Sequence, residues 1–225
     1  VKIACVIPVF NEAETLVNLL PRLNSFLKKE DVLIIDDGSE DASLLMASRY
    51  GFRTIRNSKN LGKGKSLQIG FFWALQRGYD AVLTMDADCQ HDPKFIPQMV
   101  EVISKNRADM VIGTRPFSSE KMPFQRIASN KVTSLVVSIL GKHRVHDSQS
   151  GFRITSARVL KSITLKTGRF ETESELLIKA LRRGWRVHEI PIDTLYGAEE
   201  SRIAGVSDTL RFLSLAIRSV LGMSN

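Results

Sequence analysis

Two acidic clusters interrupt apolar runs in this chain. In "AVLTMDADCQHDP", Asp86, Asp88 and Gln90 lie two residues apart directly after Ala81–Met85. If the chain stays extended past Met85, residues two apart point to one side, so the spacing predicts three oxygen donors on one face. Hard oxygen donors suit Mg²⁺ or Mn²⁺, which bind through one or two carboxylates and fill the remaining positions with water or substrate phosphate. The competing reading is a solvated turn, with Asp92 capping the helix that follows. In "VLIIDDGSED" a second apolar run ends in Asp36-Asp37 before Gly38. Helix capping accounts for Ser39 or Asp41 but not for two consecutive acids before the glycine. An acid at a strand's carboxyl end can accept hydrogen bonds from a ribose or base.

Cationic candidates accompany these acids. "NLGKGK" places Gly62, Lys63, Gly64 and Lys65 ahead of a helix, where backbone N–H groups and lysines can meet phosphate, although the spacing is not that of a P-loop. Arg115, Arg126, Arg153, Arg169 and Arg202 fall at predicted loops or element ends, and guanidinium matches phosphate bidentately. Arg115, at a strand end, is the strongest of these. Glu171, Glu173 and Glu175 fit a helix first turn, with Glu175 four residues before Lys179. Asp147 and Glu175 are the carboxylates available as a general base. His91 and His146 show no metal-ligand spacing and are expected at the surface.

The elements that must carry these residues alternate. Lys2–Ile7, Val32–Ile35, Arg53–Ile55, Ala81–Met85 and Met110–Ile112 read as strands with helices between most of them, which predicts a mainly parallel sheet covered on both faces. Asn11 with Glu14 suggests a capping box, and Asp92-Pro93 places a cap before a first-turn proline. Farther on, 123–140, 172–183 and 206–221 read as helices, and 151–155 and 185–190 as strands. Open parallel sheets bind ligands beyond the carboxyl ends of their strands, so the acids and Thr114-Arg115 should gather at one edge.

Composition narrows the partners. The 225 residues suit one domain, 1–225, and carry a net charge of +8, which calls for an anionic partner. Aromatic residues make up 7% and are not interleaved with the basic ones, so nucleic acid is disfavoured. The two cysteines form no disulfide framework and fit a reducing compartment, and no apolar run is long enough for a bilayer span. Val206, Leu210, Leu213, Ile217 and Val220 make an apolar stripe beside Arg211 and Arg218, suited to core packing or to a membrane interface.

Taken together, "CVIPVFNEAETL", "IIDDGSED", "NLGKGKSLQIGF", "LTMDADCQHDP", "VIGTRPF", "QSGFRI" and "ETESELLIKALRRGWRVHEIPI" resemble the family 2 glycosyltransferases of GT-A fold, most of all the dolichyl-phosphate mannose synthase and polyprenyl-phosphate glucosyltransferase branch. The resemblance implies a Rossmann-like, mostly parallel α/β sheet with a C-terminal amphipathic helix. It implies nucleotide-sugar contacts at Pro8, Phe10, Glu12, Asp37, Lys63, Asp86 and Ala87. It also implies a Mg²⁺ or Mn²⁺ site at Asp86, Asp88 and Gln90. Asp88, Arg115 and Arg202 take catalytic positions, and Arg115, Arg126 and Arg202 meet the acceptor phosphate. The implied reaction is inverting transfer of a hexose, mannose before glucose, from GDP-mannose or UDP-glucose to a polyprenyl phosphate, with the enzyme peripheral on the cytoplasmic face of the membrane. Tyr196–Arg202 departs from the Gly-Glu-Arg and Ser-Lys pattern common in mannose synthases, which leaves donor and acceptor identity open. The alternatives are a family 2 enzyme with a sugar-hydroxyl acceptor and its general base, a non-catalytic sugar-nucleotide binder, or a receiver-like signalling domain.

Overall fold

The computed structural model describes residues 1–115, 124–193 and Ala216, and for 124–126 the backbone alone. The strand-forming runs become β1 (Ile3–Val9), β2 (Val32–Asp36), β3 (Arg53–Arg56), β4 (Ala81–Thr84), β5 (Met110–Thr114), β6 (Arg153–Ser156) and β7 (Val187–Pro191). They form a single sheet in the order β3-β2-β1-β4-β6-β5-β7. All neighbours pair in parallel except β6, which runs antiparallel to both β4 and β5.

Helices α1 (Ala13–Leu23), α2 (Ser43–Arg49), α3 (Lys63–Gln76), α4 (Ile96–Ser104), α5 (Phe124–Gly141), α6 (Ala157–Ser162) and α7 (Glu171–Arg182) complete the layers. Period-two alternation divides the strands between two cores. Cys5, Ile7, Ile34 and Leu83 face α1 and α4, where Leu16, Leu19, Leu20, Met99 and Ile103 meet them. Val6, Leu33, Ile35 and Ile112 face the opposite way, toward Leu67, Phe71, Leu176, Leu177 and Val137 of α3, α7 and α5. Each of the Val, Leu, Ile, Phe and Met side chains among these contributes roughly 1.5–3 kcal/mol by burial. The predicted helix over 206–221, apart from Ala216, lies outside the described residues.

One of the two expected helix-start signals does not form. The capping box at Asn11 does not form: Glu12 precedes α1 without a side-chain cap, and Asn11 takes a left-handed φ of 54°. The chain leaves β1 too sharply for Asn11 to turn back on α1, and its Oδ1 instead accepts from the Glu40 N–H. Asp92 does cap, accepting from the Lys94 N–H, and starts the turn into α4. Helix α6, announced only by the cap of Ser156 on the Val159 N–H, was not expected from periodicity.

Candidate active site

Strand direction determines what meets at the sheet edge. Because β6 is antiparallel, its first residue, Arg153, lies opposite Thr84, the last of β4, and also pairs with Ile112 of β5. The segment before β6 is thereby delivered to the carboxyl ends of β4 and β5. Thr84 Oγ1 donates to the Gly151 carbonyl at 2.9 Å, and the Gly113 N–H to the Phe152 carbonyl at 2.9 Å. Glycine at 151 lets the loop approach Asp86 closely, since a Cβ there would stand 2.2 Å from the Asp86 carboxylate and force it to shift.

The extended geometry expected after Met85 is not what forms. β4 ends at Thr84 and Cys89 has φ 58°, so the chain turns through the acidic segment. The turn is closed by the Gln90 N–H donating to Asp88 Oδ1 at 3.0 Å. Ala87 points into the apolar core, while Asp86, Asp88 and Gln90 remain partly exposed. Asp86 Oδ1 is 2.6 Å from Lys63 Nζ, whose other partner is Glu173 Oε2 at 2.8 Å. Lys63 therefore engages carboxylates, where the sequence placed it among nucleotide-sugar contacts. Desolvation penalises the Asp86 charge, but Lys63, His91 and Arg115 together outweigh it and hold the carboxyl below the usual range. Asp88 behaves in the opposite sense, pushed up to about 6 by desolvation and then by the neighbouring Asp86 charge.

Among the described residues no three His, Cys, Asp or Glu side chains gather as a metal cage. The donor set nevertheless fits a divalent cation: two crowded carboxylates, one of them held against its own ionisation, are stabilised by a cation that brings phosphate oxygens for its remaining positions.

The other acid pair is occupied by the fold itself. Asp37 Oδ1 accepts from Asn57 Nδ2 at 2.8 Å and from the Leu61 N–H at 2.9 Å, and Oδ2 from the Gly62 N–H at 2.8 Å. Asp36 accepts from the Ser39 N–H and pairs with Arg56 at 3.3 Å. The β1–α1 loop is fastened to the same region by Asn11 N–H to Ser39 Oγ, Glu12 N–H to Ser43 Oγ, and Ala13 N–H to Asp41 Oδ2. This leaves Pro8 partly buried in β1 and Phe10 38% exposed at its tip, with Glu12 beside it.

The arginines divide. Arg115 is buried and holds Asp147 bidentately, through Nε at 2.7 Å and Nη2 at 2.9 Å. Arg153 is fully enclosed and donates to the carbonyls of Ser148, Ser150 and Glu173, so it braces the loop ahead of β6 and is not available to phosphate. Arg169 is exposed at the loop before α7. Arg126 lies at the start of α5, its side chain outside the described residues, as is the whole of Arg202.

Both candidate bases are likewise committed. Asp147 is fully buried on Arg115. Glu175 accepts from Thr167 Oγ1, from the Thr167 and Lys166 N–H groups, and from Lys179 at 2.9 Å. His91, expected at the surface, is 2% exposed and stacks on Phe152. Neither ring nitrogen has a hydrogen-bond partner among the described residues, and desolvation lowers its pKa to about 4. Sequence reasoning missed Glu173 as the second partner of Lys63 and Gly151 as a neighbour of Asp86. Their contacts depend on the direction of β6 and the placement of α7, which no local pattern encodes.

The sequence model described as Glycosyl transferase family 2 matches residues 4–164. The chain belongs to the family 2 glycosyltransferases. This transferase is 31% identical over 202 residues to the undecaprenyl-phosphate mannosyltransferase of Micrococcus luteus, covering 85% of this chain and 82% of the relative. It is 29% identical over 229 residues to the UDP-N-acetylglucosamine–dolichyl-phosphate N-acetylglucosaminyltransferase of Methanococcus voltae, covering 92% and 90%. These names match the polyprenyl-phosphate branch that the motifs resemble. The GT-A fold is matched by the glucosyl-3-phosphoglycerate synthase of Mycobacterium tuberculosis, solved with Mn²⁺ and UDP-glucose. It has a TM-score of 0.74 over 99% of this chain and 79% of that one, at 17% identity, a likeness of fold.

Proposed function

We propose that this glycosyltransferase moves a hexose from a nucleotide diphosphate sugar to a polyprenyl phosphate, with Mg²⁺ or Mn²⁺ held by Asp86 and Asp88 and aided by Gln90. The observation that carries this reading is the engagement of Asp147 and Glu175, the two carboxylates that a hydroxyl-acceptor reaction could have used as base, in buried ionic and hydrogen bonds. A lipid phosphate is already anionic at neutral pH and needs no base. Its oxygen attacks the anomeric carbon, the bond from that carbon to the diphosphate oxygen breaks, and the nucleoside diphosphate leaves with the electron pair. A bound divalent cation supplies Lewis-acid stabilisation of that leaving group. The chain's own part is orientation and charge: Pro8, Phe10 and Glu12 flank the donor edge, and Asp37 holds the loop carrying Gly62 in place. The family resemblance assigns Arg115, Arg126 and Arg202 to the acceptor phosphate; Arg115 stands at the end of β5 on Asp147, and the Arg126 side chain and Arg202 lie outside the described residues. Mannose is the first sugar to test and glucose the second, with N-acetylglucosamine added from the relatives' names.

Attachment to the membrane surface is supported by α5. Val132, Leu135 and Ile139, spaced by three and four, are 60%, 60% and 66% exposed, with Lys131 and Lys142 nearby. No helix among the described residues is long and apolar enough to cross a membrane.

The test is transfer of label from a panel of GDP- and UDP-sugars into polyprenyl phosphate in detergent, with and without chelator. Chelator-sensitive transfer into the organic phase from one donor supports the reading. Metal-dependent donor binding without lipid labelling moves the hydroxyl-acceptor reaction ahead.

A further inference from the structure

Lys63 is an unusual neighbour for a metal ligand. Its ammonium sits 2.6 Å from Asp86 Oδ1, occupying a direction from which a cation would approach that oxygen, and its side chain is only 14% exposed. Its second partner, Glu173, is 8% exposed, and Glu173 Oε1 is buried without a hydrogen-bond partner among the described residues. One ammonium therefore serves Asp86 and Glu173 together, beside a third carboxylate, Asp88. Packing fixes the arrangement. Lys63 opens α3 and Glu173 lies in the first turn of α7, and the two helix starts are pressed together at Gly64, where a Cβ would meet Thr172 Oγ1 at 1.9 Å. The Lys65 N–H also donates to the Gly168 carbonyl at 2.9 Å, tying the two segments at a second point.

We propose that Lys63 is a tethered internal competitor for the cation position on Asp86, and that Glu173 sets the strength of the competition by holding the ammonium between two carboxylates. In the free enzyme the ammonium compensates Asp86 and keeps affinity for a bare divalent ion low. When the ion arrives with a diphosphate, the phosphate oxygens supply the extra binding energy that displaces Lys63 from Asp86. Glu173 keeps the released ammonium compensated next to the site. The device makes metal binding depend on donor binding, so the ion and the nucleotide sugar load together. The inference rests on the metal reading of Asp86 and Asp88 given above.

Two substitutions separate competition from scaffolding because they act in opposite directions. Lys63→Met removes the competitor, whereas Glu173→Gln leaves Lys63 with Asp86 as its single charged partner. Mn²⁺ binding is measured by electron paramagnetic resonance on the free protein and again with UDP or GDP present, with urea unfolding as the check on folding. Without nucleotide, Lys63→Met should bind Mn²⁺ about tenfold more tightly than wild type, and Glu173→Gln several-fold more weakly, shifts of the order expected for one partly buried charge contact. With nucleotide, the spread among the three proteins should narrow. Weakening by both substitutions, or no change in either, overturns the proposal. If Lys63→Met does not fold, Glu173→Gln decides alone, and unchanged or tighter binding overturns it. If wild type binds no Mn²⁺ even with nucleotide, the metal reading falls and this inference falls with it.

Discussion

The carboxyl ends of β2 and β4 each carry a pair of acids, and the structure uses the pairs in opposite ways. Asp36 and Asp37 are 1% and 3% exposed and take their hydrogen bonds from Ser39, Asn57, Leu61 and Gly62, with Arg56 beside Asp36. Asp86 and Asp88 are partly exposed and crowd each other, and among the described residues Asp86 meets the Lys63 ammonium and Asp88 the Gln90 N–H. An acid whose oxygens are matched by fixed N–H donors is part of the scaffold, and a desolvated acid with unmet charge awaits a ligand. What separates the two pairs is the set of donors around each carboxylate, since both stand at a strand end.

The sharpest way to break this comparison is to neutralise one acid of each pair. Asp88→Asn should abolish chelator-sensitive transfer, by roughly a thousandfold or more, because it removes a ligand worth several kcal/mol of charge stabilisation. Its urea midpoint should stay at or above the wild-type value, since a crowded charge has been removed. Asp37→Asn should do the reverse. It places an NH₂ group where Oδ1 or Oδ2 accepts from backbone N–H groups, which should cost about 3 kcal/mol of stability. A full-stability Asp37→Asn that fails only in donor binding would show that Asp37 belongs with Asp88 after all.

Gly151→Ala sharpens the same contrast by moving Asp86 without altering its charge. The added methyl would stand within 2.7 Å of Asp86 Oδ1 and Oδ2. Asp86 is short and already fixed on Lys63, so the carboxylate must shift. A displacement near 1 Å should lower turnover about a hundredfold and weaken Mn²⁺ binding in the presence of nucleotide. Unchanged Mn²⁺ binding would mean that the metal does not depend on Asp86 where the structure places it.

Much of this was legible beforehand. The apolar runs bounded by acids or glycine became β1 to β5 within one or two residues, and Asp86, Asp88 and Arg115 came to one edge because parallel strands present their carboxyl ends together. What local pattern did not reveal was how each polar group would be satisfied. Asp37 and Asp88 are the same residue type at similar strand ends, and the return of Asn57, Leu61 and Gly62 to Asp37 distinguishes them. β6 begins with a buried arginine, and its antiparallel sense, which brings Gly151 to Asp86, appears only in its pairing with β4. Glu173 fitted a helix first turn and its dipole, an explanation complete enough to conceal the Lys63 contact. His91 was expected at the surface because it shows no metal-ligand spacing, yet the turn folds it onto Phe152.

The smallest predicted effect tests whether the rule about donors holds beside the site as well as away from it. Glu175 is 2% exposed on α7, two residues beyond Glu173, and has the matched surroundings of a scaffold acid. Burial alone would raise its pKa. Hydrogen bonds from Thr167 and Lys179 side chains and from the Thr167 and Lys166 N–H groups outweigh burial and hold it below the usual carboxylate range. With the folded pKa depressed, the unfolded chain takes up protons first as the solution is acidified. The contribution to stability is therefore complete above the ordinary glutamate value near ~4.3 and is lost as pH falls through the folded value. Glu175→Gln should cost about 2 kcal/mol at pH 7, and the gap from wild type should close as urea titrations are repeated from pH 5 downward. Nucleotide-dependent Mn²⁺ affinity should stay at the wild-type level in the folded variant. A pH-independent gap would mean that the glutamate acts through packing, and a lost Mn²⁺ site would move Glu175 from the scaffold to the chemistry.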